Sequence, residues 1–156
     1  MVKVNIVCIG KVKESYFKEG IFEYSKRLSR FCDFTITELE EENIKNPSNS
    51  QIEDLIKKEG KKILPVLKGK VVVLAIEGKK RSSEDFASLV KSISDTTGVI
   101  TFVIGGSYGL SKEVKDRADY KLSFSDMTFP HTMARLILTE QIYRAFSIIE
   151  GSAYHK

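Results

Sequence analysis

Apolar residues fall along this chain in two alternating textures. Short, nearly continuous runs rich in β-branched residues occur at Val2–Gly10 (VKVNIVCIG), Val71–Ile76 (VVVLAI) and Val99–Ile104 (VITFVI). Each stops at a glycine or a charged cluster. Runs of this kind read as strands buried on both faces, as in a parallel sheet. Between them the spacing changes to that of helices. Phe17, Ile21, Tyr24, Leu28 and Phe31 recur at intervals of four and three, one stripe of an amphipathic helix whose other face is charged. Phe34–Leu39 alternates as a strand, and Ser50–Leu67 reads as a helix that Gly60 and Pro65 should interrupt. Ser82 with Asp85 resembles a capping box ahead of a helix marked by Phe86, Leu89, Val90 and Ile93. Ser111–Ala118 is a short charged helix and Tyr120–Ser123 a brief fifth strand.

The alternation predicts an α/β domain spanning residues 1–156, with a mostly parallel sheet and helices on both faces. The last long element departs from the amphipathic rule. His131–Ile149 begins after Pro130 and should close at Gly151, a suitable C′ residue, but its apolar positions surround most of the axis. Such a helix is buried on more than one side. The expected second cover is another copy of the chain, giving a homodimer packed on this helix. Glu140 and Arg144, four residues apart, should pair.

Three strand ends carry loops that can converge: Leu74–Gly78, Gly105–Gly109 and Ser123–Pro130. In parallel sheets, ligands bind at the carboxyl ends of strands, where glycine lets backbone come close to them. The third loop holds Phe124, Met127 and Phe129, which either plug the core or line a pocket for a flat ligand.

Composition adds limits. The 156 residues are 42% hydrophobic and 29% charged, ordinary for a globular domain, and the net charge of +4 permits a nucleic-acid partner without requiring one. Cys8 and Cys32 lack metal spacing, and Cys8 belongs to a core strand. No apolar run suits a secretory signal or a membrane span, so a cytoplasmic protein with no membrane partner and no metal is expected. Gly105-Gly106-Ser107-Tyr108-Gly109 matches the G-x-S-x-G of a nucleophile elbow, with Asp126 and His131 or His155 downstream. That pattern raises a small serine hydrolase acting through Ser107. Phosphate-cradling glycine patterns are missing. The three loops suit a neutral, flat, amphiphilic cofactor such as S-adenosylmethionine.

The strings FVIGGSYGL and LSFSDMTFPH, the helix segment EQIYRAF and the terminal AYHK closely resemble one family, the RlmH type of SPOUT methyltransferase. The resemblance runs from the first strand to the last residue. It implies a fold whose C-terminal part is tied in a trefoil knot, S-adenosylmethionine held in that knot near a dimer interface, and methylation of N3 of a pseudouridine in 23S ribosomal RNA of the assembled ribosome. Carried over by motif position, the cofactor contacts are Leu74, Gly105 and Gly106, with Phe124, Ser125, Asp126, Met127, Thr128 and Phe129. Given that chemistry, Arg144, Glu140, Tyr154 and His155 are the candidates for positioning the base, stabilising charge and receiving a proton. Lys11, Lys13, Lys79, Lys80 and Arg81 flank the strand ends and are candidates for phosphate contact. A catalytically silent ribosomal RNA-binding assembly factor of the same fold is the non-enzymatic alternative.

Overall fold

A computed structural model describes all residues, Met1–Lys156. Five strands form one all-parallel sheet in the order β2-β1-β4-β3-β5. The strands are β1 (Lys3–Ile9), β2 (Asp33–Leu39), β3 (Lys70–Lys80), β4 (Val99–Ile104) and β5 (Tyr120–Ser123). The connecting helices are α1 (Ser15–Leu28), α2 (Asn49–Ile63), α3 (Ser83–Thr96) and α4 (Lys112–Arg117), and the chain finishes on α5 (His131–Ile149). A 3-10 turn over Leu64–Val66 replaces the end of α2, where Pro65 removes a donor from the helical ladder.

Successive strand residues point to opposite faces, and two cores result. On one face Ile6, Ile100 and Phe102 pack beneath α1, α3 and α5. On the other, Val7, Val73 and Val103 pack beneath Ile63 at the end of α2 and Val114 of α4. Serine caps three helices, two of them at the serines expected to open them, Ser82 and Ser111, and the third at Ser48, two residues ahead of the expected start at Ser50. Ser48, Ser82 and Ser111 accept from the backbone N–H three residues on, and Gln51 completes a capping box at Ser48. Phe31 lies just past α1, where its ring stacks on Phe146 at 6.0 Å.

Two expectations change. The strand expected to end at Ile76 continues to Lys80. Leu74 and Lys79 both lie opposite Leu122 of β5, so Ala75–Gly78 form a bulge inside a longer strand. Gly78 permits this, because a Cβ there would lie 2.8 Å from the Leu122 backbone. Helix α5, in turn, is covered within its own chain, lying between α1 and α3 on the sheet. Its apolar circumference is therefore largely satisfied in one copy, and pattern alone does not demand a second. Gly151 ends the helix at φ +70°, with Gly151 N–H donating to Ile148 and Ser152 N–H to Ser147. These are the two bonds of a Schellman cap.

Arg135 ties α5 to the sheet. Its guanidinium is 2% exposed, lies 2.5 Å from Glu38 Oε2 and donates to the Gly10 carbonyl at 3.1 Å. The first turn of α5 is thereby held at the carboxyl ends of β1 and β2. Burial raises the thiols of Cys8 and Cys32 to about 11 and about 12, which keeps both protonated.

Candidate functional site

The carboxyl ends of β3, β4 and β5 open into a cleft of about 740 Å³. Its walls are the β3 bulge from Leu74, the loop Gly105–Gly109, and the segment from Ser123 to the start of α5. All three loops singled out in the sequence meet here. The size falls within the range of ligand sites, and the lining is mostly apolar with backbone groups exposed between.

Local sequence explains each wall. The Gly105–Gly109 turn closes on itself: Gly109 N–H donates to the Gly106 carbonyl at 3.2 Å, and Gly109 takes φ +90°. A Cβ at Gly105 would stand 2.9 Å from the Gly109 carbonyl carbon. The glycines are thus required first by the turn's own packing, and only then by room for a ligand. In the third wall, Ser123 Oγ donates to the Ser125 carbonyl and Met127 N–H to Ser125 Oγ, both at 3.1 Å. Leu74, Gly105, Gly106, Phe124, Ser125, Met127, Thr128 and Phe129 all line the cleft. Asp126 does not; its carboxylate faces solvent and pairs with Lys80 at 2.6 Å. Lys80 is thereby engaged, whereas Lys11, Lys13 and Lys79 remain exposed.

Glu59 was not among the residues singled out in the sequence. This α2 carboxyl is 2% exposed and lies beneath the glycine loop, 3.2 Å from where a Gly106 Cβ would be. One oxygen accepts from Glu42 N–H at 3.1 Å; the other has no partner. Burial pushes its carboxyl above the ordinary range. Only the placement of a charged residue on the inner stripe of α2 could have pointed to it.

The four candidate catalytic residues come together at the far end of α5. Arg144 donates to Glu140 Oε1 at 2.8 Å through Nε and faces His155 Nδ1 at 3.1 Å through Nη1. Tyr154 donates to Glu140 Oε1 and meets the Tyr24 hydroxyl, both at 3.3 Å, and its ring lies under the Arg144 guanidinium at 4.7 Å. Burial, the Tyr24 hydrogen bond and the Glu140 charge push the Tyr154 hydroxyl well above the usual tyrosine range. His155 Nε2 reaches Glu84 of α3 at 2.6 Å, a partner the sequence did not reveal. The terminal Tyr-His is therefore docked rather than frayed.

This cluster does not overhang the cleft of its own chain. Ala134 lines the cleft, and Arg144 lies ten residues further on, about 15 Å along the helix. Nor does Ser107 have a catalytic pair. Asp126 is committed to Lys80 and His155 to Glu84 and Arg144, and no hydrogen bond joins Ser107 to His131. The hydrolase reading has no geometry behind it. No cluster of three or more metal-ligating side chains is present, and no helix is long and apolar enough to cross a membrane.

Residues 2–155 match the family model described as predicted SPOUT methyltransferase. The chain is similar along its length to curated proteins named Ribosomal RNA large subunit methyltransferase H. That of Levilactobacillus brevis is 51% identical, with 98% of this chain and 99% of the relative covered. That of Carboxydothermus hydrogenoformans is 49% identical, with 99% of each chain covered. Among solved structures, a probable methylase family protein from Haemophilus influenzae shares the fold at a TM-score of 0.57 and 13% identity, covering 98% of this chain and 70% of that one.

Proposed function

The chain belongs to the SPOUT methyltransferase family, among relatives named for ribosomal RNA large subunit methylation, and from that premise we propose that it transfers a methyl group from S-adenosylmethionine to N3 of a pseudouridine in 23S ribosomal RNA of the ribosome. The observation that carries this reading is the convergence of three backbone-rich loops on one largely apolar cleft, with a docked Tyr-His tail at the other end of the same helix.

The cleft fits the cofactor on its own features. Its lining combines apolar side chains with glycines and the hydroxyls of Ser107, Ser123, Ser125 and Thr128, which suits an adenine edge and ribose. Lys115, the basic residue at its rim, is paired with Glu77 at 2.7 Å, so no free cationic cradle awaits a triphosphate. Leu74, Gly105, Gly106, Phe124, Ser125, Met127, Thr128 and Phe129 are the residues that would hold it. Bound there, S-adenosylmethionine would supply an electrophilic sulfonium methyl group for transfer to the acceptor nitrogen.

The chain's own task is to hold the base, remove the imide proton and stabilise the charge left on the ring. Arg144 supplies a fixed positive charge, already aimed by Glu140. Tyr154 keeps its proton and so acts as a hydrogen-bond donor or stacking surface. Arg144 can only donate, so His155 Nδ1 accepts from it and the ring proton lies on Nε2, toward Glu84. His155 can take a proton only once Arg144 turns to the base. We further propose that a second copy, packed against the outward side of α5, brings its tail over the cofactor cleft, completing a shared site in a homodimer. A C-terminal knot through Phe124–Pro130 and a cytoplasmic location, where ribosomes are found, belong to the same reading. Lys11, Lys13, Lys79 and Arg81 would meet RNA phosphates, making binding salt-dependent.

Calorimetry with S-adenosylmethionine, paired with transfer of labelled methyl to ribosomes lacking the modification, tests the proposal. Binding with transfer supports it. Binding without transfer favours an assembly factor, and absence of binding contradicts the cofactor assignment.

A further inference from the structure

A second recess of about 290 Å³ adjoins the cofactor cleft and shares Leu122, Ser123, Phe124 and Phe129 with it. Its remaining walls come from the start of α3 (Arg81, Ser82, Ser83, Phe86) and from Ile137 and Gln141 of α5. It therefore lies between the cleft and the Glu140–Arg144 cluster. Phe86, Phe124, Phe129 and Ile137 make it apolar and ring-compatible, and one polar side chain in it is held in a defined orientation. Ser83 Oγ donates to Gln141 Oε1 at 2.8 Å, and Gln141 Nε2 donates to Glu140 Oε2 at 3.1 Å. These partners fix which end of the amide is oxygen. A side-chain amide has two N–H donors and an oxygen with two lone pairs. One donor and one acceptor therefore remain free on a single rigid plane.

We propose that this recess receives the target base and that Gln141 is a specificity-determining residue, reading the N1–H and C2 carbonyl edge of a pseudouridine. The inference rests on the reading above. A donor and an acceptor on one plane match a cyclic amide, which presents N–H beside C=O. Pseudouridine is joined to its ribose through carbon and so keeps an N1–H next to the C2 carbonyl. Uridine is joined through N1 and has no such edge. Gln141 Oε1 accepts from N1–H while Nε2–H donates to the C2 carbonyl. N3, the next ring atom, is left open toward the neighbouring cleft. Arg81 at the recess wall is placed for the adjoining phosphate. A uridine in the same pocket leaves the Gln141 oxygen unpaired, and sites that hydrogen-bond one substrate discriminate strongly against an analogue lacking the group.

The test compares methyl transfer to two ribosome preparations, one carrying pseudouridine at the target position and one carrying uridine there. Wild-type protein should strongly prefer the first. Q141A should lose about 10–100-fold in kcat/KM on pseudouridine, with the pseudouridine-to-uridine ratio falling toward one and the affinity for S-adenosylmethionine unchanged. S83A, which releases the amide without removing it, should narrow the ratio less; it carries the test if Q141A fails to fold. A wild-type enzyme indifferent to the two preparations, a folded Q141A that keeps full discrimination, or a folded Q141A that loses cofactor affinity instead would each overturn the inference. Absence of transfer by the wild type to either preparation would instead overturn the proposed function.

Discussion

His155 and Glu84, seventy-one positions apart in the chain, meet at 2.6 Å, and the contact pins the C-terminal tail to the first turn of α3. The His155 hydrogen bond holds the Glu84 carboxyl below its usual range. The contribution of this one contact to tail docking is therefore present above the ordinary carboxylate range and is lost as pH falls through Glu84's lowered value, while the Tyr154 and Arg144 contacts remain. E84A should cost about 10–100-fold in methyl transfer, by leaving the imidazole unplaced, with cofactor affinity unchanged. Arg144 still donates to Nδ1 in E84A, so the ring proton stays on Nε2, but that N–H loses its carboxylate acceptor and its proton resonance should move upfield. An unchanged Nε2–H resonance in the variant would contradict the positioning role.

Y154A and H155A should each reduce methyl transfer by about 100-fold or more while binding S-adenosylmethionine nearly as well as wild type. Single-turnover kinetics alongside calorimetry separates the two effects. Wild-type turnover in both variants would remove the tail from the chemistry.

Two glycines of one turn should respond differently to the same substitution. A Cβ at Gly105 meets backbone at 2.9 Å, so G105A should displace the loop and weaken cofactor binding by more than about tenfold. At Gly109 a Cβ meets nothing within 4 Å, but φ is +90°. G109A should therefore cost about 1–2 kcal/mol of stability through strain, with cofactor affinity little changed. Chemical denaturation and calorimetry on both variants check the contrast.

Glu59 gives a pH signature opposite in sign to that of Glu84. Its folded carboxyl is raised, so the fold favours its protonated form. Its contribution is fully present below the unfolded carboxylate value and is lost as pH rises through the folded one. E59Q, a neutral mimic, should flatten the pH dependence of stability on the alkaline side of that transition and leave the glycine loop intact. Denaturation midpoints across pH would show it; a steeper dependence in E59Q would contradict it.

Much of this was legible in the residues. The β-branched runs fixed β1, β3 and β4, because parallel strands must be apolar on both faces. Pro130 and Gly151 bracketed α5, and three strand-end loops marked the cleft. What escaped depended on long-range contact. Nothing local in Glu77-Gly78 says that the strand resumes after a bulge, since that is decided by the approach of Leu122. Helix α5 looked too apolar for one chain because the cover from α1 and α3 cannot be read from its own sequence. Glu59 and Glu84 appear as ordinary helix-surface charges until the fold brings Gly106 and His155 against them.

The most direct measurement is methyl transfer from labelled S-adenosylmethionine to ribosomes lacking the modification, followed by mass-spectrometric mapping of the labelled nucleoside. One labelled site is expected, an N3-methylated pseudouridine in 23S ribosomal RNA, with loss of that label in G105A and in H155A. Label on another base, on 16S ribosomal RNA or on protein, or no label despite cofactor binding, would contradict it.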